Sequence, residues 1–379
     1  MNVMKYLKFC AWALALPMLF VACDDDNPGN GEEETEFRAE RGIYVFNNGN
    51  EGYSINGSLT FLDPAGNCYF SDVFKYANGR ELGSTVQDGV VLGENLYIAV
   101  FGSNTVEVVD KHTALSVAQI LPTTAQGEGP RDIVTDGEYV YVSMQSGHVS
   151  RINPSTNAID NTVQVGPNPE EMAVVGDYLY VVNSDGLNYI GGYAGGFSVS
   201  KIRLDDFTEE GKIGVGMNPT KLVGHAASGQ LFVGCMGDYM ENPASLWAID
   251  TATDTTTDLG VPVTLMCLSG NTLYTVYNNW NGAENMLYVA YDVLTHAVVD
   301  EAFIPVLASQ QNPEFEYNRV DNPAGIVVNP DDGHIFIASY VNDSQAYSLP
   351  SYVYEYDADG MASRRFDVGV GAVNMMILD

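Results

Sequence analysis

The chain has 379 residues, of which 49 are acidic and 16 are basic, so its formal net charge is −33. This length suits one large all-β domain or two ordinary domains. The acidic balance repels nucleic acid and no basic stripe offsets it, so the sequence predicts no nucleic-acid partner. The 38 glycines and 23 tyrosines favour short strands joined by many turns.

Residues 1–22 have the features of a secretory signal peptide. Lys5 and Lys8 give a basic start, and the apolar run that follows is too short for a membrane-spanning helix. Phe20-Val21-Ala22 before Cys23 resembles a bacterial lipobox, which implies cleavage at that point and a lipid on Cys23. Cleavage would leave 14 basic and 49 acidic residues, a net charge of −35.

Residues 23–41 are predicted to form a lipidated acidic tether. The segment from Asp24 to Glu34 is polar and turn-rich, and such a composition buries too little apolar surface to fold. An acidic run directly after the lipid-bearing cysteine resembles the signal that sends lipoproteins to the outer face in one large group of Gram-negative gut bacteria. We therefore expect surface display on the outer membrane, with the lipid as the sole membrane attachment. The alternative is that the run is only a solvated linker.

The stretch from Gly129 to Asn168 shows the repeat of this chain most clearly. A Gly-Pro turn opens it, and four short strands follow, separated by turns such as Asp136-Gly137 and Gln145-Ser146-Gly147. Four strands in about forty residues, without a helical period, are typical of one sheet that cannot bury both faces alone. Recurrence at this spacing predicts radial stacking of four-stranded blades.

The strand count predicts seven blades. Second strands, which mix apolar and aromatic residues, recur at 43–46, 96–99, 139–142, 178–181, 230–233, 272–275 and 334–337. First strands are predicted near Val86, Asp132, Glu170, Thr220, Thr264 and Ala324, which is one fewer than the second strands. The seventh is expected at 373–378, where it would complete the N-terminal blade and remove the free sheet edges. We therefore predict an all-β, seven-bladed β-propeller over residues 42–379.

Several motifs carry a family resemblance. Leu179-Tyr180-Val181-Val182-Asn183, Tyr141-Val142-Ser143 and the Gly-Pro or Asn-Pro strand starts resemble the YVTN-type (YncE-like) β-propeller repeat. The lipobox, the acidic tether and the opening from Ile43 to Gly52 with Gly57-Ser58-Leu59 resemble surface propeller lipoproteins of gut bacteria. In that group the BtuG-like proteins capture cobalamin and pass it to a TonB-dependent outer-membrane transporter. The opening motif is shared by the wider group, so it does not by itself imply cobalamin.

The candidate ligand site lies on the loops that join second to third strands. In a propeller these loops share one face around the central channel with the fourth-to-first connections, and here several are long and rich in Tyr and Asn. Such residues suit a large, neutral, amide-rich or sugar-like ligand. The candidates are Asn47, Asn48, Tyr53, Asn183, Tyr189, Tyr193, Met236, Tyr239, Tyr277, Asn278, Trp280 and Tyr340. The alternative is that the aromatic residues only cap blade ends and the asparagines fill turns.

Two arginines complete the candidate site. Arg131 and Arg319 are scarce cations in an acidic chain, and each lies just before or at a predicted first strand. Each could pair with a phosphate or carboxylate of a ligand, or with an acidic neighbour of the same chain.

The sequence contains no identifiable catalytic or metal-binding motif. The five histidines are scattered, and neither His-Glu-x-x-His nor Cys-x-x-Cys occurs. We expect no catalytic residue, no metal ligand and no cofactor, with a calcium ion in the channel left open. Cys68, Cys235 and Cys267 are predicted to be buried small apolar residues without a disulfide.

Three functions remain possible from the sequence. The first is a surface binding module that captures a nutrient, most specifically a corrinoid, for a TonB-dependent transporter. The second is a propeller enzyme of the lactonase or quinoprotein kind, which would need channel ligands that the sequence does not reveal. The third is a surface adhesion or glycan-binding scaffold that uses the same face.

Overall fold

A computed structural model gives the fold of residues 21–23, 37–66, 68–278, 285–305, 320, 322–341 and 344–379. The described strands form seven antiparallel sheets around one axis, as the sequence predicted. Residues 1–20, 24–36, 67, 279–284, 306–319, 321 and 342–343 lie outside the described part.

Six of the seven blades are formed by four consecutive strands. Blade 2 contains β5 (Val86–Leu92), β6 (Asn95–Val100), β7 (Thr105–Asp110) and β8 (Ser116–Ile120). Blade 3 contains β9 (Pro130–Thr135), β10 (Val140–Met144), β11 (His148–Asn153) and β12 (Ala158–Gln164). Blade 4 contains β13 (Pro169–Val175), β14 (Tyr178–Asn183), β15 (Ser198–Arg203) and β16 (Thr208–Gly214).

The next three blades follow the same order. Blade 5 contains β17 (Pro219–His225), β18 (Gln230–Cys235), β19 (Ser245–Asp250) and β20 (Thr255–Asp258). Blade 6 contains β21 (Leu265–Ser269), β22 (Thr272–Tyr277), β23 (Leu287–Asp292) and β24 (Val298–Asp300). Blade 7 contains β25 (Pro323–Val328), β26 (Ile335–Ser339), β27 (Pro350–Tyr356) and β28 (Ala362–Val370).

Blade 1 closes the ring with strands from both ends of the chain. Its N-terminal strands are β2 (Gly42–Asn47), β3 (Ser58–Asp63) and β4 (Cys68–Phe70), and its inner strand is β29 (Ala372–Leu378). Strand β29 pairs antiparallel with β2 from Gly42–Leu378 to Asn47–Ala372. The predicted closure is therefore confirmed. It secures the two chain ends to each other through backbone hydrogen bonds.

Seven apolar clusters hold the propeller together, and each fills one interface between neighbouring blades. The alternating side chains of the second strands explain this. In β6 of blade 2, Tyr97 packs toward blade 3 and Ile98 packs toward blade 1, and both are fully buried. Because successive residues of a strand point to opposite faces, each second strand contributes to two interfaces.

The Gly-Pro and Asn-Pro motifs mark the starts of first strands. Gly129, Asn168 and Asn218 have positive φ angles and each precedes the proline that opens its strand. Gly and Asn tolerate this left-handed backbone. A proline that lacks an N–H is accepted at the first residue of a strand. This repeated turn directs each chain segment from the outer edge of one blade to the inner edge of the next.

Four short helices and one extra strand depart from the repeat. The α-helix α1 (Val73–Asn78) follows β4 and packs against β3, and the sequence did not predict it. The 3-10 helices are Glu51–Tyr53, Thr124–Gln126 and Gly186–Asn188. Strand β1 (Val21–Cys23) pairs with β4 at the outer edge of blade 1, and cleavage before Cys23 would remove two of its three residues. No helix in the described ranges is long and apolar enough to cross a bilayer.

Phe46 provides a test of the packing between blades 1 and 2. Its buried ring lies where a Cβ on Gly89 would come within 2.4 Å of it, so blade 2 accepts the ring through a glycine. We expect Phe46→Ala to lower the free energy of unfolding by about 3–5 kcal/mol, because it leaves a cavity at the closing blade. Urea denaturation measures this. The control Phe197→Ala, at a half-exposed ring, should cost less than about 1 kcal/mol, and equal losses would contradict the assignment.

Candidate functional site

One end of the central channel opens as a cavity of about 370 Å³. All seven blades contribute to its wall, and the loops that follow β2 and β18 form part of its rim. The lining residues are Asn48, Gln87, Asp88, Arg131, Asp132, Glu170, Glu171, Thr220, Lys221, Met236, Tyr239, Thr264, Leu265, Ala324, Val373 and Asn374. The cavity therefore lies on the face that carries the second-to-third loops, as the sequence predicted for the ligand site.

Backbone hydrogen bonds fix these loops to the channel. The residue after a second strand donates its N–H to the carbonyl just before the first strand of the same blade. This bond joins Phe101 to Thr85, Gln145 to Gly129, Ser184 to Asn168, Met236 to Asn218 and Tyr340 to Asn322, at 2.8–3.1 Å. The loop face is therefore a rigid surface around the channel mouth in these five blades.

A β-bulge near the start of six first strands brings neighbouring residues to the channel. In β5, Val86 pairs with Val100 and Asp88 pairs with Ala99, so Gln87 is an extra residue. The same excess of one residue occurs in β9, β13, β17, β25 and β29. A bulge bends its strand and redirects the side chains. This explains how two consecutive side chains of one strand can both line the cavity.

Three carboxylates at the bulges accept a backbone N–H from the next blade. The bonds join Asp88 to the N–H of Ile133 (3.3 Å), Asp132 to that of Met172 (2.8 Å) and Glu171 to that of Leu222 (2.9 Å). In blade 1 the corresponding residue is Asn374, whose Nδ2 donates to Asp88 Oδ1 at 2.7 Å. Side chains thus link blades 1 to 5 in sequence around the channel.

Asp88 and Asp132 are hydrogen-bonded to each other between blades 2 and 3. Two carboxyl groups can form such a bond only when one of them carries a proton. Burial raises the pKa of Asp88 to about 6. Burial, with the negative charges of Asp88 and Glu171, raises the pKa of Asp132 well above its usual range. The pair therefore retains a proton at pH values where ordinary carboxyl groups are ionised.

Two cations face the cavity, and blade 4 supplies a carboxylate to each. Arg131 donates through Nε and Nη2 to Glu170 Oε2 at 2.8 and 2.5 Å, and its guanidinium lies 5.5 Å from the ring centre of Phe101. Lys221 Nζ donates to Glu171 Oε1 at 2.5 Å. Arg131 is thus paired with an acidic neighbour, which is one of the two alternatives left open by the sequence. The negative charge of Glu171 also raises the pKa of Lys221 against the opposing effect of burial.

The wall from blades 6 and 7 is different in character. Its lining residues are Thr264, Leu265 and Ala324. At Gly325 a Cβ would come within 2.7 Å of the Val373 carbonyl oxygen, so the backbones of blades 7 and 1 approach too closely there for a side chain. The channel mouth therefore has a charged wall from blades 2 to 5 facing a wall of small and apolar residues.

Two neighbouring loops raise exposed apolar side chains beside the mouth. Blade 4 contributes Leu187, Tyr189 and Ile190, and blade 5 contributes Tyr239 and Met240, all more than half exposed. Burial, with the charges of Tyr193 and Glu170, raises the pKa of Tyr239, which places its hydroxyl near the charged wall.

Carboxylate-capped turns hold both loops. Asp185 Oδ2 accepts from Asn188 Nδ2 and from Gly195 N, each at 2.8 Å. Asp238 Oδ1 accepts from the N–H groups of Met240 and Asn242, each at 2.9 Å. Because these bonds fix the backbone of each loop, the apolar tips are presented in a preorganised way.

Blades 1 and 7 form the opposite rim. Asn50 Nδ2 donates to the Tyr347 carbonyl at 2.7 Å, which joins the two loops. Tyr347 packs edge-on against Tyr340, with ring centres 5.1 Å apart, and burial raises the pKa of Tyr340 to about 12. Tyr53 is exposed on the same rim.

The rim is lower over blades 2 and 3, because the turns that join the second and third strands of these blades are tight. A hollow of about 430 Å³ lies there, lined by Phe101, Glu128, Gly129, Gln145, Ser146, Pro167, Asn168 and Leu187. Arg131 lines the channel cavity and contacts Phe101 of this hollow, so the two depressions are neighbours. A ligand larger than the channel mouth has room to extend in this direction.

The predicted site residues divide into four groups. Asn48, Arg131, Met236 and Tyr239 line the channel cavity. Tyr53, Tyr189 and Tyr340 lie on the rim described above, and Tyr277 is partly buried at the end of β22. Trp280 and Arg319 lie outside the described residues, as do the side chains of Cys23 and Cys68.

The remaining four are buried in the blades. Asn47 and Asn183 are fully buried, and each amide bonds across its blade, Asn47 to Thr60 Oγ1 at 3.0 Å and Asn183 to Ser200 Oγ at 2.9 Å. Tyr193 and Asn278 are 7% and 3% exposed. The side chains of these four residues are not accessible to a ligand on the loop face in this structure. The structure thus places these four candidates inside the blades, not on the open loop face.

Sequence reasoning missed the charged residues of the channel. Asp88, Glu171 and Lys221 were not singled out, and Asp132 and Glu170 were used only to mark strand starts. A usable signal exists, because each lies one or two residues after the first residue of an inner strand whose later part is mostly apolar. Charged residues at a repeated position of inner strands point to the channel.

No metal site is evident in the described ranges, where no group of three or more His, Cys, Asp or Glu residues could hold an ion. Cys235 and Cys267 are free thiols, and burial raises the pKa of each to about 12. Cys235 is fully buried, as predicted, whereas Cys267 is partly buried. Thiols with such raised pKa values have little thiolate for metal binding or catalysis.

The comparison with known families now identifies the chain. Residues 41–368 match the family model described as "Domain of unknown function (DUF5074)". The chain belongs to the DUF5074 family. No curated protein matches its sequence.

Solved structures of similar shape share the propeller fold with this DUF5074 protein. Hydrazine synthase of Kuenenia stuttgartiensis is 14% identical, with a TM-score of 0.56 over 76% of this chain and 88% of that one. A functionally unknown protein from Desulfotomaculum acetoxidans is 11% identical, with a TM-score of 0.58 over 89% and 99%. The computationally designed Ika8 protein is 11% identical, with a TM-score of 0.54 over 90% and 92%. At these identities the likeness concerns the fold alone.

The carboxyl pair makes a prediction about stability and pH. The folded-state pKa values of Asp88 and Asp132 lie above the ordinary value of 3.8, so the folded protein binds protons more tightly than the unfolded chain. The stability that the pair contributes is therefore full below the ordinary pKa of 3.8, and it is lost as the pH rises through the raised pKa of each group, which is about 6 for Asp88. Asp132→Asn keeps an acceptor for Met172 and a donor for Asp88, and we expect it to be more stable than the parent at pH 8 by about 1–3 kcal/mol.

Urea denaturation at pH 5 and pH 8 measures this difference. Glu171→Gln is the control at the corresponding position of the next blade, and it should destabilise the protein, because it removes the charge that pairs with Lys221. A parent and an Asp132→Asn variant with the same pH dependence would show that the pair carries no shared proton.

Proposed function

We propose that this protein is a surface-displayed binding module that captures a nutrient at the channel mouth and passes it to a TonB-dependent outer-membrane transporter. The observation that carries this proposal is the channel cavity itself. It has a charged wall from blades 2 to 5, a facing wall of small and apolar residues, a rim with exposed tyrosines and a lower side over blades 2 and 3. Concave sites with a few fixed polar groups and aromatic walls are typical of small-molecule binding.

The charges of the cavity define the ligand class. Four carboxyl groups and two cations line it, and Glu170 and Glu171 already engage the cations. An anionic ligand would therefore face an excess of negative charge. A neutral ligand that offers N–H donors is favoured, because carboxylates accept hydrogen bonds from amides without a charge on the ligand.

A corrinoid is the most specific ligand that we propose. Its rigid macrocycle presents a large surface that exposed tyrosines such as Tyr239 and Tyr189 can contact. Its peripheral amides supply donors for the carboxylates of the channel wall. Its size exceeds that of the channel mouth, and the hollow above blades 2 and 3 gives it room. The sequence resemblance to BtuG-like surface lipoproteins supports the same ligand.

A second candidate, a scaffold that binds a protein or glycan, has one specific observation in its favour. Ile190 and Met240 are each 88% exposed at the tips of rigid loops, beyond what a pocket wall needs. Exposed apolar groups that cluster on one face mark contact surfaces for macromolecules. This contact and a small-molecule site at the channel mouth are compatible, since the partner transporter would be one such macromolecule.

If Cys23 carries a lipid, replacing its sulfur atom by oxygen should release the protein from the membrane. Cys23→Ser removes the thiol that would carry the lipid. We expect loss of fatty-acid labelling and release of the protein from the outer membrane, whereas Cys267→Ser should keep both. Protease treatment of intact cells should digest the parent protein. Labelling of the Cys23→Ser variant, or resistance of the parent to external protease, would contradict lipid-anchored surface display.

Calorimetry with cyanocobalamin tests the ligand. We expect one-to-one binding, and Tyr239→Ala should weaken it at least tenfold, since a well-packed aromatic contact contributes about 1–3 kcal/mol. The control is Leu294→Ala, which removes a side chain of similar exposure from a third-to-fourth turn on the opposite face and should leave the affinity unchanged. Absence of binding would reject the corrinoid. Binding that Tyr239→Ala leaves intact would reject the channel mouth as its site.

A further inference from the structure

We propose that the proton shared by Asp88 and Asp132 is a switch that sets both the tightness of the blade 2 to blade 4 contacts and the ligand affinity of the channel mouth. The affinity part rests on the proposed function, whereas the contact part does not. Both parts follow from where the two carboxyl groups lie and what they bind.

Asp88 is a hub between three blades. It accepts from Asn374 of blade 1 and from the N–H of Ile133 of blade 3, and it shares the proton with Asp132. Asp132 in turn accepts from the N–H of Met172 of blade 4 at 2.8 Å. A change at this one carboxyl pair therefore reaches four consecutive blades through hydrogen bonds.

The groups that face the pair leave it without a counter-charge of its own. The two cations that face the pair are Arg131 of β9 and Lys221 of β17. Strand β13 already supplies a carboxylate to each, Glu170 to Arg131 and Glu171 to Lys221. The lining residues of β21, β25 and β29 bear no charge, and the loop after β18 adds the phenol of Tyr239 to the cavity lining. Because both facing cations already have carboxylate partners, a bound proton is what reduces the negative charge of the Asp88 and Asp132 pair.

Loss of this proton must rearrange the wall. Two adjacent carboxylates repel each other, so the bond between Asp88 and Asp132 breaks. One carboxylate then moves away from its N–H partner, or draws Arg131 or Lys221 from its present partner. The bond to Asp88 stabilises the protonated form of Asp132 and, with burial, raises the pKa of Asp132 well above its usual range, so the shared proton is lost at a higher pH than that of an ordinary carboxyl group.

The bond between Glu171 and the N–H of Leu222 serves as an internal reference for the bond between Asp132 and the N–H of Met172. Glu171 accepts the N–H of Leu222 at 2.9 Å, in the same way that Asp132 accepts that of Met172, but its other oxygen is paired with Lys221. Glu171 is held by a cation and not by a second carboxyl group, so its bond to Leu222 does not depend on a shared proton. The Leu222 bond should therefore not respond to pH while the Met172 bond does.

The switch also predicts the direction of the effect on ligand affinity. A neutral ligand that covers the mouth removes water from the carboxyl pair. Removal of water disfavours the charged form and further raises the affinity of the pair for its proton. By linkage the ligand then binds more tightly at pH 5.5 than at pH 8, by up to tenfold for each unit by which the ligand raises the pKa of the pair.

Amide hydrogen exchange of the ligand-free protein tests the contact part. From pH 5.5 to pH 8 we expect the protection factors of the Ile133 and Met172 amides to fall at least fivefold and that of Leu222 to stay constant. In Asp132→Asn, where no proton is shared, all three should be independent of pH. Asp88→Asn provides the same test from the other carboxyl group. Equal behaviour of the three amides in the parent, or an unchanged response in both variants, would overturn the switch.

Cyanocobalamin binding at the two pH values tests the affinity part. Tighter binding at pH 5.5 in the parent, and pH-independent binding in Asp132→Asn, would support it. Binding that is equal at both pH values in the parent would overturn the link to affinity and leave the proposed function intact. Absence of binding at both pH values would reject the corrinoid and the link to its affinity, and the hydrogen-exchange result would still decide on the contact switch.

Discussion

Convergence of the seven first strands on one axis is the constraint on which this structure depends. Each blade is a small sheet that buries both faces only between its neighbours, so the ring is stable only when it is closed. Closure comes from the pairing of β29 with β2, which uses the last strand of the domain to complete the blade begun by its first strands. The apolar clusters at the seven interfaces then form one continuous core around the channel.

The same convergence creates the candidate site. Inner strands crowd at the axis, and a β-bulge near the start of six of them brings adjacent side chains to the mouth. In blades 2 to 4 these positions hold Asp88, Asp132 and Glu171, which bond to the backbone of the next blade. The charged wall therefore links neighbouring blades and also forms one side of the candidate site. Groups that are held by hydrogen bonds in this way would need little reorganisation when a ligand binds.

Charge is distributed so that the site differs from the rest of the surface. The chain as a whole is strongly acidic, yet Arg131 and Lys221 are both placed at the channel mouth. They are matched by Glu170 and Glu171, which leaves the Asp88 and Asp132 pair to be neutralised by a proton. An excess of carboxyl groups over cations in a confined space couples the protonation of the site to whatever covers it.

The fold could be predicted almost completely from the sequence, and the site only in part. Second strands such as Tyr178–Asn183 were found because strand periodicity and turn residues are local properties of the chain. The loop face and four of its lining residues, Asn48, Arg131, Met236 and Tyr239, followed from that topology. Asn47 and Asn183 became candidates because an Asn at a strand end has the same sequence signature whether its amide faces a ligand or bonds across a buried blade, as both do here.

The sequence by itself determined the seven repeats, the closure of the ring and the face on which the loops lie, because these depend on the spacing of residues along the chain. The tertiary structure decided which polar groups meet. The partnership of Asp88 with Asp132, and those of Arg131 with Glu170 and Lys221 with Glu171, join residues 39 to 50 positions apart in different blades. Such partnerships depend on bulges, blade rotation and burial, which together set the distances between the channel side chains and their protonation states. These features cannot be recognised in the local sequence.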